Sequence, residues 1–418
     1  MQFVLRRGLL FWAAVVVLGV EVASAFQRGA MWRGDVVWTI DWISVSFVAV
    51  GPLVAGFAAI DTARLSVGSE YLAGQRFWRT PGFAVGLSYA IGIGAVHLLV
   101  LAGALGISFY PSFRLGAGWV WDPSTIVAIL AQLSMIAFFA ALGSLMGRFL
   151  RPVLGGISAA LASFACVYAF GTPGGSMSLL DSGVATVPRV GYAYSATFLT
   201  IQVLFLLAVT IALHAIRPAG AVGSSRPRGG DAAIAGLVVA AVTVGTSFAP
   251  VERLEPVAAQ PDYCASVIGV PTCYYRQHAR VSKAFQDVLW TAFGAAQDSG
   301  YGALVPARVA EASRTILPAA VDPGVGTVFI SSDHLSGLRP TTWEVVQGLV
   351  EPVHCPQVRG ELPPSERYWS DLLALTATWV DLVEPGQGEA NGFVGDPLSP
   401  TAAAALLDEF RTCTYAFQ

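Results

Sequence analysis

Residues 125–147 read TIVAILAQLSMIAFFAALGSLMG, an unbroken run without a single charged side chain. About twenty helical residues cover the ~30 Å hydrocarbon layer of a bilayer, so this run is long enough to cross one. Working outward, residues 8–26, 38–60, 82–107, 152–170, 194–216 and 232–249 have similar length and apolarity. The composition agrees, since 55% of residues are hydrophobic and 12% charged, against about 25% charged in soluble globular domains. The expected fold is mainly α: a polytopic membrane helix bundle of about seven spans, followed by a mostly helical, disulfide-containing soluble domain.

Arginine placement gives an orientation, because loops on the cytoplasmic side retain Lys and Arg. With the N-terminus cytoplasmic, that side receives Arg6, Arg7, Arg64, Arg76, Arg79, Arg148, Arg151, Arg217, Arg226 and Arg228, and the other side only Arg28, Arg33, Arg114 and Arg189. Seven crossings then export everything after Ala249, which makes the protein a multi-pass cell-membrane protein with an extracytoplasmic C-terminal domain. Arg6, Arg7, the apolar run and Ala23-Ser24-Ala25 also have the order of a signal peptide. Glu21 within the run, and its length, favour a retained span, and either outcome preserves the topology.

The cysteines bear on the same point. Cys264, Cys273, Cys355 and Cys413 fall in the exported part and Cys166 in a span, and disulfides persist in oxidising compartments. Four cysteines allow three pairings; Cys264 with Cys273, across a short turn, and Cys355 with Cys413 are favoured. Charge separates the two parts as well. Residues 1–249 hold 14 arginines and 8 acids, a net of +6, while residues 250–418 hold 10 basic and 19 acidic residues, a net of −9. An acidic exported domain argues against nucleic acid or anionic lipid as its partner; membrane lipid is the partner of the spans.

Ionisable residues within spans are costly and therefore candidates for function. Glu21 and Asp41 are expected to reach water at the outer interface, His97 to hydrogen-bond a neighbouring helix, and His214 to sit among inner headgroups. Small residues such as Gly86, Gly92 and Gly94, or Gly155, Gly156, Ala159 and Ala160, suit close helix contacts.

Between the second and third spans lies Asp61-Thr-Ala-Arg64-Leu-Ser-Val-Gly68-Ser69-Glu70-Tyr71-Leu72-Ala-Gly-Gln-Arg76-Phe77-Trp78-Arg79-Thr-Pro81. This amphipathic piece has a central Gly-Ser-Glu and an aromatic, basic return to the membrane, with Gly68 or Ser69 placed to cap a short helix. Ala63-Arg64, Gly68-Ser69-Glu70, Leu72 and Arg76 to Pro81 match, in order, the loop after the second span of type 2 ATP-binding-cassette exporter permeases. The chain resembles in particular the multi-span permeases common in high-GC actinobacteria. Ser69 replaces their usual Thr and Tyr71 one Leu, and the seventh span and exported domain are additions to their usual six spans. The resemblance implies a coupling helix, Gly68 among its residues, gripped by a separate ABC ATPase subunit, with Arg64, Glu70 and Arg76 as polar contacts and Tyr71 and Leu72 as apolar anchors. It also implies a homodimer or a second permease subunit.

The chain has no Gly-x-x-x-x-Gly-Lys-Ser/Thr, and its single lysine, Lys283, precedes Ala284, so a nucleotide site would belong to another polypeptide. The domain organisation expected is a six-span permease-like core over 1–216, a Pro/Gly/Ser-rich cytoplasmic linker over 217–231, a seventh span over 232–249, and the extracytoplasmic domain over 250–418. In that domain helical periodicity marks residues 281–292, 305–316, 341–351, 365–382 and 399–412, with Ser365 and Ser399-Pro400 as helix starts. Residues 327–331 form the one good strand. Tyr274, Tyr275, Arg276 and His278 cluster after Cys273. Glu351 and His354 would share a face only if a helix survived Pro352. Hydrolase motifs are absent, so no catalytic residue, metal site or cofactor is assigned, and the protein is read as a permease rather than an enzyme. The alternative is a membrane-anchored receptor or sensor with a ligand-binding extracytoplasmic domain; a membrane enzyme or assembly factor using Glu351, His354 or Glu21 is a third reading.

Overall fold

The computed structural model describes residues 8–27, 29–66, 80–117, 122–170, 178–180, 183, 188, 190–216, 252–257, 260–312, 324–355, 358 and 364–416. The linker, the seventh apolar stretch, and Gly68, Glu70, Tyr71, Leu72 and Arg76 lie outside these residues. The helices of the apolar part are α1 (Leu10–Phe26), α2 (Val36–Ser44), α3 (Phe47–Ser66), α4 (Pro81–Arg114), α5 (Ser124–Phe149), α6 (Pro152–Phe170) and α7 (Ala196–Ala215). Among the described residues, four helices are long and apolar enough to cross a membrane: Phe47–Leu65, Pro81–Arg114, Ser124–Phe149 and Ala196–Ala215; the apolar helices over 10–26 and 152–168 are shorter.

These helices pack as small residues permit. A Cβ on Gly143 would stand 2.2 Å from Ala55 O and one on Gly147 2.3 Å from Ala59 O. Two glycines four residues apart on α5 thus bring its backbone against that of α3, a close approach that suits helices in lipid. On its other side, α3 meets α6, where Gly156 leaves room for the Ile60 side chain. Leu99, Phe113, Val153, Leu154, Leu161 and Leu204 point away from the bundle and are largely exposed.

One apolar run differs from expectation. Residues 38–60 were expected to form a continuous span, but the helix breaks at Val45–Ser46 into α2 and α3. The Ser44 hydroxyl donates to Asp41 O at 2.7 Å, and the next two amides bond three residues back, to Trp42 O and Ile43 O. A side-chain hydroxyl competing for a helix carbonyl produces this kind of break.

After a two-stranded pairing of β1 (Tyr192–Tyr194) with β2 (Leu254–Pro256), the C-terminal part folds around an ordered sheet of β3 (Tyr263–Val267), β4 (Val270–Tyr274), β5 (Arg308–Glu311) and β6 (Val325–Val328). β3 and β4 form an antiparallel hairpin, and β4, β5 and β6 run parallel. Ile268 and Gly269 both have positive φ, 47° and 79°, as the two-residue turn that matches strand twist requires. The helices are α8 (Ala279–Asp298), α9 (Ser332–Ser336), α10 (Thr342–Val350), α11 (Glu366–Val383), α12 (Gln387–Ala390) and α13 (Pro400–Arg411). Their start signals are local: the Ser365 side chain caps α11, and Ser399 caps α13 with Pro400 in its first turn. Trp379 stacks on Phe293 and donates its indole N–H to Ala292 O, which fastens α11 to α8.

The sheet corrects two sequence expectations. Residues 305–316 were expected to be helical, yet 308–311 are strand β5, with buried Val309 and Glu311 alternating with exposed Arg308 and half-buried Ala310. Val305, Val309 and Ala312 fit a helical repeat equally well, and so short a run cannot be told from a strand by period alone. Four strands stand where one was expected, because β4 is mostly buried without clean alternation and β5 is only four residues long. Helix α10 ends at Val350, so Glu351 and His354 share no helical face.

Cys264 bonds to Cys273, its direct partner across the hairpin, with Cα atoms 4.0 Å apart. Cys355 bonds to Cys413 with Cα atoms 5.5 Å apart. These are the two pairs the sequence favours.

Candidate functional site

Polar side chains gather at three levels of the bundle. The domain end carries the folded C-terminal part together with Arg33, Arg114, 178–180 and 190–195, and the opposite end carries the helix ends at Ser66 and Pro81.

At the opposite end, Asp61 of α3 is 2% exposed. Its Oδ2 accepts from the Leu9 amide at 2.8 Å, just before α1, and from the Tyr89 hydroxyl of α4 at 2.8 Å. A single carboxylate thereby ties the ends of three helices. Thr62 pairs with Ser144 of α5 at 3.3 Å, and Ser144 donates to Gly82 O at 2.8 Å. Arg148 of α5 donates to His214 O at 3.1 Å and Ile216 O at 2.7 Å, and its other nitrogen lies 3.1 Å from His214 Nδ1. Gly82 and Gly86 leave the room these groups occupy: a Cβ would stand 2.3 Å from Arg148 Nε in one case and 2.4 Å from His214 Cε1 in the other. His214 is therefore buried against Arg148 rather than set among headgroups. Arg64 is exposed one turn beyond Asp61, where the described part of α3 is about to end.

Midway, His97 of α4 lies 2.9 Å from Glu21 Oε1 of α1 through Nδ1 and 3.0 Å from Gln132 Oε1 of α5 through Nε2. Gln132 Nε2 donates to Ile40 O of α2 at 3.1 Å. Glu21 and His97 are fully buried, so Glu21 does not reach interfacial water as expected; His97 does bond neighbouring helices.

At the domain end, Asp41 is likewise fully buried instead of wet. Its Oδ1 accepts from the Tyr194 hydroxyl at 2.8 Å and from Arg253 at 3.1 Å. The Arg253 guanidinium also covers the Tyr194 ring at 5.4 Å. Gly183 passes so close that a Cβ there would meet Asp41 Oδ1 at 2.3 Å. This clamp fixes the entry of β2 against β1 and hence the start of the C-terminal domain. The domain is held a second time by Arg280, which donates to Met31 O at 2.8 Å and Arg33 O at 3.0 Å. Burial, with Arg33 nearby, lowers the Arg280 pKa to about 10. Arg276 donates to Ala117 O. Of the cluster after Cys273, Tyr275 donates its amide to Glu311, and His278 bonds the same carboxylate. Burial first, and the Glu311 charge second, raise Tyr274 above the ordinary tyrosine range.

Farther out, α8, α10, α11 and α12 enclose a cleft of about 750 Å³ lined by Lys283, Asp287, Arg339, Trp343, Glu384 and Gln387, among others. His354 lies near Cys355 and Cys413, but the two sulfurs are bonded to each other.

The site residues proposed from sequence therefore distribute as follows. Glu21 and His97 meet directly, and Asp41 follows the residue whose carbonyl completes their chain. Arg64 lies at the opposite end of the bundle, and the remaining loop residues lie outside the described part. Asp61, Arg148 and Arg253 were not singled out from sequence as site residues. Asp61 had a signal, since it is an acid at the junction of an apolar span and the loop; nothing in the sequence links Arg253 to Asp41.

No family model matches the chain, and no curated protein or solved structure matches it.

Proposed function

We propose that the protein is the permease subunit of an ATP-driven ABC exporter, working with a separate ATPase subunit that grips residues 67–79. The observation that carries this reading is Asp61. Its carboxylate joins the ends of α1, α3 and α4 six residues before that segment in the chain, while Thr62, Ser144 and Gly82 link α3 and α4 to α5. A push on the segment would therefore move several helices together instead of bending one. Buried hydrogen-bonded groups resist separation because each would be left unsatisfied away from water.

In this reading the N-terminus and residues 67–79 are cytoplasmic and the disulfide-bonded domain is outside. ATP binding closes two ATPase subunits, and the loops carry that motion into two permease halves, supplied by a homodimer or by a second permease subunit. Glu70, Arg64 and Arg76 supply the polar grip, and Tyr71 and Leu72 the apolar one. The domain lies over the exit end, where Asp41, Arg253 and Arg280 fix it. The receptor alternative draws on the cleft between α8 and α11.

Affinity purification of the intact protein in mild detergent tests the proposal. A P-loop ATPase is expected to copurify with the wild type and to be lost, by at least about tenfold, from Glu70→Arg, because reversing a contact charge introduces repulsion. Absence of an ATPase from both preparations overturns the reading and turns attention to ligands of the cleft.

A further inference from the structure

The chain Glu21–His97–Gln132–Ile40 fixes where protons must be. Gln132 donates through Nε2 to Ile40 O at 3.1 Å, so its Oε1, which faces His97 Nε2 at 3.0 Å, can only accept. His97 Nε2 therefore carries a proton. The other ring nitrogen, Nδ1, lies 2.9 Å from Glu21 Oε1. If Nδ1 were bare and Glu21 ionised, two lone pairs would face each other at hydrogen-bond distance with nothing to donate. One further proton has to lie between them. It resides on Glu21, as an acid donating to Nδ1, or on Nδ1, as an imidazolium donating to the carboxylate. Both forms leave the pair neutral overall, which is the arrangement that costs least among apolar helices.

Among the described residues the surroundings supply no other counter-charge. The packed helices α1 to α5 carry Asp41, Asp61, Arg64, Tyr89, Tyr110, Arg114 and Arg148 besides the pair. Asp41 is engaged by Arg253 and Tyr194, Asp61 by Tyr89 and the Leu9 amide, and Arg148 by His214; Arg64, Tyr110 and Arg114 lie near helix ends. None of these bonds to Glu21 or His97 among the described residues. Glu21 Oε2 is buried without a hydrogen-bond partner among them, so no fixed donor takes the place of the proton.

We propose that Glu21 and His97 form a binding site for a single proton inside the helix bundle. The proton joins α1 to α4, and Gln132 extends the joint to α5 and α2. Its departure leaves two acceptors face to face, so the joint holds only while the proton is bound. The inference goes beyond the permease reading and does not depend on it.

The test uses the full-length protein in lipid nanodiscs at neutral pH. Nitrogen NMR of histidine-labelled protein, assigned by loss of a signal in His97→Asn, reads both ring nitrogens of His97. Infrared spectroscopy reads a buried carboxylic-acid carbonyl. The expected result is a protonated Nε2 together with either a protonated Nδ1 or an acid carbonyl band that disappears in Glu21→Gln. Should Glu21→Gln fail to fold, Glu21→Asp serves, shifting that band instead of removing it. A bare Nε2, or a bare Nδ1 in protein that lacks the acid band, overturns the proposal.

Discussion

Replacing Cys355 or Cys413 with serine is expected to destabilise the C-terminal domain by about 4 kcal/mol, the loop-closure entropy for a bridge spanning 58 residues. The bridge joins the chain just after α10 to the chain just after α13, so it closes α11, α12 and α13 into one loop. Cys355 is fully buried, and beside it Tyr368, Phe410 and Tyr415 form a ring cluster with centroids 4.9–6.2 Å apart. Losing the bridge removes a tether and loosens that cluster together. The hairpin bridge makes an internal comparison. Cys264–Cys273 spans 9 residues, for which the same entropy is about 2.5 kcal/mol, and the β3–β4 ladder already holds its ends. Denaturant unfolding of the purified protein, followed through the aromatic near-ultraviolet signal, should rank Cys355→Ser as the more damaging change. Equal midpoints for the two serine variants would contradict this assignment.

Asp41→Ala is expected to release the start of the C-terminal domain from the bundle. Arg253 is 6% exposed, and the change removes the carboxylate that its guanidinium bonds at 3.1 Å; breaking a buried ion pair by removing one partner costs about 3–5 kcal/mol. Tyr194 loses an acceptor at the same time, and Gly183, shaped around Asp41, faces a void. Trypsin cleavage after Arg253 measures the opening directly, since proteolysis of an ordered segment follows the population of its open form. At about 3 kcal/mol the cleavage rate rises roughly a hundredfold. Asp41→Asn, which retains an acceptor for Tyr194, should give a smaller increase. Cleavage of Asp41→Ala within about twofold of wild type would show that the clamp does not hold the domain.

The apolar helices are legible because length and the absence of charge are enough to mark them. The start of α5 at Ser124 and the bounds of α6 lie within a residue of the expected runs. The amphipathic helix α8 is legible by its apolar period alone, and α10, α11 and α13 also by their capping residues, which act over three or four positions. The sheet is not, because β4 and β5 owe their burial to neighbours far away in sequence, and Val309 fits a helix period as well as a strand. The break at Val45 depends on one hydroxyl, that of Ser44, choosing a carbonyl, which no apolar pattern reports. Glu21, Asp41 and His97 are visible as costly residues in apolar runs, but 76 positions separate Glu21 from His97. Spacing carries no information on which helix faces meet, so their partners come only from the packing of α1, α4 and α5. Asp61 is the instructive omission: it stands out in sequence as an acid at the end of an apolar run, yet its value lies in one oxygen that accepts from both the Leu9 amide and the Tyr89 hydroxyl.

Site-directed crosslinking tests the proposed contact between residues 67–79 and an ATPase most directly. Glu70→Cys in a Cys166→Ala background places an unpaired thiol in the loop, the other four cysteines being bonded to one another. Treated with a short thiol-to-amine crosslinker in membranes from the native host, this variant should form a covalent adduct with a P-loop ATPase. Labelling of the new thiol from outside intact cells, or a reactive thiol that yields no protein adduct, would contradict the account.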